Sequence, residues 1–140
     1  MKHNASIVDT SALLAFFDAS EPDHASVGQA ITATRGHLVV SPYVVAELDY
    51  LVSTRHGVDA EMAVLEELTG GAWELASFGV ADLKEAHSVI ARYRDQAIGV
   101  ADASNVVLAD RYGTSTVVTL DRRHFDVLRL PTGQPVTVLP

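Results

Sequence analysis

Short apolar runs alternate along this chain with longer stretches of helical spacing, and that alternation constrains the fold more than any other feature. The runs are Ile7-Val8, Leu38-Val39-Val40, Trp73-Glu74-Leu75, Thr116–Leu120 and Val136-Thr137-Val138-Leu139. Thr116–Leu120 is rich in β-branched residues and is the strongest strand signal; Trp73-Glu74-Leu75 is the weakest. Strands that alternate with helices bury both faces most simply as a parallel sheet with helices above and below it. The expectation is an α/β fold, a three-layer α/β/α sandwich around a mostly parallel sheet.

The segments between the runs carry helix signals. Ser11 through Ala19 is apolar at helical spacing, with Leu13, Leu14, Phe16 and Phe17. Glu21-Pro22-Asp23 opens a second helix, with Pro in the first turn and acids near the positive end of the dipole. Ser41-Pro42 caps a third, whose core candidates are Val44, Val45, Leu48, Leu51 and Val52. Val58, Met62, Leu65 and Leu68 fall at helical spacing, as do Leu83, Ala86, Ile90 and Tyr93. Val100–Tyr112 reads as a last long helix, stopped by Gly113.

The 140 residues fit one domain, 1–140, with 48% hydrophobic and 20% charged residues. The absence of cysteine excludes disulfides, thiolate zinc sites and cysteine nucleophiles. No apolar run approaches the roughly 20 residues that span a bilayer, and the first residues lack a signal-peptide core. A soluble, cytoplasmic protein is expected. The net charge of -8 argues against sequence-blind nucleic-acid binding unless the acids are gathered in one place.

Four acids stand where such gathering is possible. Asp9 follows the first strand and Asp121 the fourth. In open α/β sheets ligands bind at the carboxyl ends of strands where the connection order reverses, so the two acids meet if those strands are neighbours. Glu47 and Asp102 lie inside apolar helical stretches with no Lys or Arg three or four residues away. A carboxylate in such a setting is costly unless something neutralises it, and a shared divalent cation would serve all four. Oxygen ligands suit Mg²⁺, with Mn²⁺ as the alternative. Asp9 and Asp121 would bind the ion directly, Asp102 would bind it or position a water, and Glu47 would bind it directly or through water. The plainer alternatives are helix capping for Asp9, a solvent-facing position for Glu47, a dipole partner for Asp102, and a charged turn for Asp121-Arg122-Arg123.

Val8-Asp9-Thr10-Ser11-Ala12-Leu13-Leu14, Ser41-Pro42-Tyr43-Val44-Val45-Ala46-Glu47-Leu48, Ile98-Gly99-Val100-Ala101-Asp102-Ala103 and Thr119-Leu120-Asp121-Arg122-Arg123-His124-Phe125 together resemble the four motifs of PIN domains. In particular they resemble those of the VapC toxins of bacterial toxin–antitoxin pairs. The resemblance runs over nearly the whole chain, in order. It implies a five-stranded parallel sheet, a homodimer, Mg²⁺ or Mn²⁺ as cofactor, and endonucleolytic cleavage of structured RNA such as tRNA or rRNA. It also implies a VapB-type antitoxin whose tail blocks the acidic pocket. Asp9, Glu47, Asp102 and Asp121 carry over as the acidic quartet, and Ser11 and Thr119 as the hydroxyl residues that support it.

Arg122 and Arg123, with Arg92 and Arg94 before the Asp102 motif, are candidate phosphate contacts. His124 reads as an exposed histidine at a helix start, and the histidines form no H-E-x-x-H pattern. Trp73 and the tyrosines are scattered, which favours packing over a base-stacking platform. A haloacid-dehalogenase-type phosphotransferase needs a second Asp two residues after the first, where this chain has Ser11. A receiver-like Mg²⁺-binding signalling module needs an acid after the third strand, where Ala76-Ser77-Phe78-Gly79 has none. A PIN nuclease that processes RNA without being a toxin stays open. The mean hydropathy of +0.17 adds to the expectation of a dimer.

Overall fold

The computed structural model describes residues 4–140. Five strands, β1 (Ala5–Val8), β2 (His37–Val40), β3 (Glu74–Leu75), β4 (Thr116–Val118) and β5 (Thr137–Leu139), form one sheet in the order β3-β2-β1-β4-β5. Every pairing is parallel. The sheet is thus wholly parallel, where the sequence suggested mostly so. The helices are α1 (Thr10–Phe17), α2 (His24–Ala33), α3 (Pro42–His56), α4 (Val58–Leu68), α5 (Val80–Arg92), α6 (Val100–Arg111) and the short α7 (Arg122–Phe125).

The apolar runs are short and continuous because the central strands are covered on both faces. Side chains alternate across a strand, so neighbours in sequence enter different cores. Ile7, Val39 and Val117 stand side by side in register and pack with α5, α6 and Phe125. Val8, Val40 and Val118 point the other way, into α1, α2, α3 and α4. All six are fully buried. Each contributes roughly 1.5–3 kcal/mol relative to an exposed position, and a one-residue slip of β1 would misplace both sets at once.

Local chemistry explains where the elements end. Ser41 caps α3, its hydroxyl accepting from the Tyr43 amide at 3.1 Å, with Pro42 in the first turn. Helix α1 stops at Phe17, two residues short of the stretch suggested by sequence. The Asp18 carboxylate there accepts from the amide and hydroxyl of Ser20, at 2.9 and 2.6 Å, and turns the chain. Strand β4 ends at Val118, two residues early, and the Leu120 amide donates to Ser11 Oγ at 2.9 Å. Of the four residues that mark α4 in the sequence only Leu68 is buried. Val58 and Met62 are each 62% exposed and Leu65 lies at the surface, while Val64 takes the inner face. Trp73 is buried against Phe16 and Phe17, so it packs as expected. Among the described residues no helix is long and apolar enough to cross a membrane.

The connections β1–β2–β3 step outward on one side of the sheet, and the next crossover returns past β1 to β4. The reversal therefore falls between β1 and β4, and Asp9 and Asp121 flank it.

Candidate active site

Asp9 extends the β1–β4 pairing by one residue, its amide donating to the Val118 carbonyl at 2.9 Å. It occupies the N-cap position of α1, yet its side chain makes no cap bond. The carboxylate turns inward and is 4% exposed. Oδ1 accepts from Asn105 Nδ2 at 2.9 Å and Oδ2 from Thr119 Oγ1 at 2.8 Å, with Ser11 Oγ more distant at 3.5 Å. Burial, and then the negative charge of Asp102, push its pKa from 3.8 up to about 6, against the pull of the Thr119 hydroxyl. None of the ion pairs among the described residues includes Asp9 or Glu47.

Thr119 is the joint of the site. Its hydroxyl donates to Asp9 and accepts from the Asp121 amide at 2.9 Å, so one oxygen spaces two acids from different strands. Ser11 holds the same joint from the other side, 3.2 Å from Thr119 Oγ1.

Asp102 sits in the first turn of α6, where the helix dipole favours a negative charge. Desolvation raises its pKa; His124 opposes that rise and Asp121 adds to it. A buried 2.7 Å hydrogen bond between Ser41 and Ser104 ties the start of α3 to the same helix. Asp121 caps α7, accepting from the His124 amide at 3.3 Å.

His124 is a correction to the sequence reading. Its side chain is only 22% exposed and sits between the two acids, with Nδ1 2.9 Å from Asp102 Oδ2 and 3.1 Å from Asp121 Oδ2. Ligand atoms of Asp102, Asp121 and His124 lie within 4.8 Å of one another, a spacing one cation can bridge. Glu47 stands apart from this trio and is exposed on α3, near enough for its charge to raise the pKa values of Asp9 and Asp102.

The four arginines are not gathered. Arg122 donates to the Pro140 carbonyl at 2.7 Å. Arg92 lines a cleft with Val107 and Asp110, in the C-terminal half of α6. That is a helix length of about 8–12 Å from Asp102, at 1.5 Å per residue. Arg94 and Arg123 are exposed, and among the described residues neither guanidinium makes a hydrogen bond or an ion pair.

Sequence reasoning missed Asn105 as well as His124. Asn105 is fully buried and donates to Asp9, while its own Oδ1 is buried without a hydrogen-bond partner. Each missed residue stands three positions after an acid that was read, on the same helix face: Asn105 after Asp102, His124 after Asp121. That spacing was the available signal. A divalent cation fits this donor set. Asp9 is buried without a cationic partner among the described residues, two further carboxylates are close, and each oxygen of an ionised carboxylate has lone pairs beyond those its present donors use.

A PIN-domain family model matches residues 6–129. The chain is 64% identical over 134 residues to "Ribonuclease VapC26" of Mycobacterium tuberculosis, covering 96% of this chain and 99% of that protein. Among solved structures, Mycobacterium tuberculosis VapC20, described as a sarcin-ricin loop cleaving toxin, superposes with a TM-score of 0.77 at 17% identity, covering 83% of this chain and 89% of that one. VapBC2 from Rickettsia felis, solved bound to a DNA fragment from its promoter, gives 0.70 at 16% identity, covering 97% and 99%. A toxin–antitoxin complex from Klebsiella pneumoniae gives 0.70 at 15%, covering 96% of each. At those identities the structures speak for the fold, while the domain match and the sequence relative speak for descent. The chain belongs to the PIN-domain family, in its VapC branch.

Proposed function

We propose that this chain is a Mg²⁺-dependent endoribonuclease, the toxin of a type II toxin–antitoxin pair, which hydrolyses a phosphodiester bond of structured RNA such as tRNA or rRNA. The observation that carries the proposal is the buried carboxylate of Asp9, unpaired with any described cation, beside Asp102 and Asp121 at the reversal point of the sheet. Asp9, Asp102 and Asp121 would hold the ion, with Glu47 reaching it through water. When bound, Mg²⁺ or Mn²⁺ activates a water and offsets charge on the phosphate. The chain's own part is positional. Asn105 and Thr119 fix the Asp9 carboxylate, and Thr119 sets its distance from Asp121.

Surfaces for partners are also available. A groove of about 590 Å³ between the end of α1, α3 and α4 is lined by Leu14, Phe16, Phe17, Val52, Ala63 and Val64. Unpartnered apolar surface of this kind favours a protein partner, and two of the solved relatives are toxin–antitoxin complexes. An antitoxin segment seated there would reach Asp9 by running back along α1, about 12 Å for eight residues. About four extended residues span that distance. The exposed stripe Val58, Met62 and Leu65 on α4 supports self-association. Light scattering at micromolar concentration should give a dimer, and a monomer there would remove that claim.

The test of the activity is cleavage of purified bacterial RNA with Mg²⁺ or Mn²⁺, wild type against Asp9→Asn, with the new 5′ ends mapped. Discrete fragments that require both metal and Asp9 are expected. Equal cleavage by the two proteins would refute the site.

A further inference from the structure

Three features stand out beyond the acidic quartet: the apolar groove beside α1, the Arg92 cleft between α5 and α6, and the imidazole lodged between Asp102 and Asp121. The last has the most definite geometry. Its placement is built into the fold. Phe125, the next residue, is fully buried and anchors α7 in the core. The Asp121 carboxylate accepts from the His124 backbone amide at 3.3 Å, and its other oxygen lies 3.1 Å from the ring Nδ1. The ring therefore faces the acids because the chain leaves it little other choice.

We propose that His124 is a metal ligand through Nδ1, and that it biases the site from Mg²⁺ toward first-row transition ions. This rests on the metal-dependent nuclease proposed above. Adjacent ligands of an octahedral ion with bonds of about 2.1 Å stand about 3.0 Å apart. Nδ1 is already 2.9 and 3.1 Å from the two carboxylate oxygens. With the ring proton on Nε2, Nδ1 presents a lone pair to the point the acids share. The donor set becomes carboxylate oxygens plus one imidazole nitrogen. Nitrogen adds little for Mg²⁺, which prefers oxygen and water, and progressively more along the series from Mn²⁺ to Co²⁺ and Ni²⁺.

The competing role for His124 is that of a counter-ion, which shields the acids until a metal displaces it. The two roles give opposite signs. Calorimetric titration of RNA-free protein with MgCl₂ and with CoCl₂ separates them, using wild type, His124→Ala and Asp102→Asn. A ligand role predicts that His124→Ala weakens Co²⁺ binding by about tenfold or more, with Mg²⁺ affinity nearly unchanged. Co²⁺ binding by His124→Ala as tight as wild type, or tighter, overturns the proposal. Asp102→Asn should weaken both ions. Wild type that binds neither ion would instead overturn the metal-dependent activity itself, and this proposal with it. If His124→Ala fails to fold, the Co²⁺ form of the wild type still decides. A ligated His124 gives a strongly shifted ring N–H signal in the proton NMR spectrum, and its absence with Co²⁺ bound rejects the assignment.

Discussion

The end of the sheet around Asp9 and the groove beside α1 carry opposite kinds of instability. Around Asp9 the chain buries charge and polar groups. A carboxylate at 4% exposure has its pKa raised to about 6, and Asn105 Oδ1 has no partner. In the groove it does the reverse, leaving Phe16, Phe17 and Ala63 to line an open apolar surface. Both arrangements cost stability in the isolated protein. On the proposed function, a cation would relieve the first and an apolar protein segment the second. The difference teaches that a functional surface can be recognised by what would stabilise it, and that the two remedies are chemically unrelated.

If that separation is real, variants in the two regions should have exchanged effects. Asp9→Asn should lower RNA cleavage by about 10³-fold or more, since metal-assisted catalysis supplies several kcal/mol. It should leave binding of the cognate antitoxin within a few-fold of wild type. Ala63→Glu should do the converse, weakening antitoxin binding by about 30-fold, the ~2 kcal/mol of a hot spot, with cleavage unchanged. A cleavage assay paired with a binding titration checks both, and a variant that damages both properties equally would break the comparison.

Stability sharpens it. The folded pKa of Asp9 lies above the ordinary aspartate value of 3.8, so the folded state holds its proton more tightly than the unfolded one. Its contribution to stability is present in full below pH 3.8 and is lost as pH rises through about 6. In EDTA above that pH, Asp9→Asn should therefore be more stable than wild type by up to about 3 kcal/mol, at 1.36 kcal/mol per pKa unit. The difference should vanish below pH 4. Turning Asn105 would let its unpaired Oδ1 accept from the new amide. Urea unfolding at several pH values measures this, and a difference independent of pH would show that desolvation of Asp9 is not the cause. The smallest effect expected is at the rim. Arg123→Ala should weaken RNA binding by less than about tenfold and reduce its salt dependence, whereas Arg92→Ala, at the end of α5 beside the far half of α6, should do neither.

The strand-to-acid junctions were legible because a parallel sheet writes itself as continuous apolar runs, and an acid after such a run stands out. Asp9 and Asp121 stand out that way, whereas Asp102, like Glu47, stands out as a carboxylate inside an apolar helical stretch. What escaped was pairwise. Nothing in a linear pattern says that Asn105 reaches Asp9 across 96 positions, or that the first residues of α7 aim an imidazole at Asp102 rather than at solvent. The i, i+3 relation to a known acid would have raised both as candidates. The exposed stripe of α4 escaped for a different reason: periodicity reports a helix, while the face it buries depends on neighbours. Val64, outside the marked stripe, is the residue that turned inward.

The amide of Asp9 bonds the carbonyl of Val118, and Thr119 then closes onto the Asp9 carboxylate across 110 positions. That pairing has a consequence in time. On the ribosome the first acid emerges early, and β4, the strand that holds it in register, only after most of the chain has been made. Until then the acids are separate residues on an unfinished sheet, with no shared point at which a cation could be held. On the proposed function, a nascent chain would gain its activity only late in its synthesis, once β4 is free to dock beside β1.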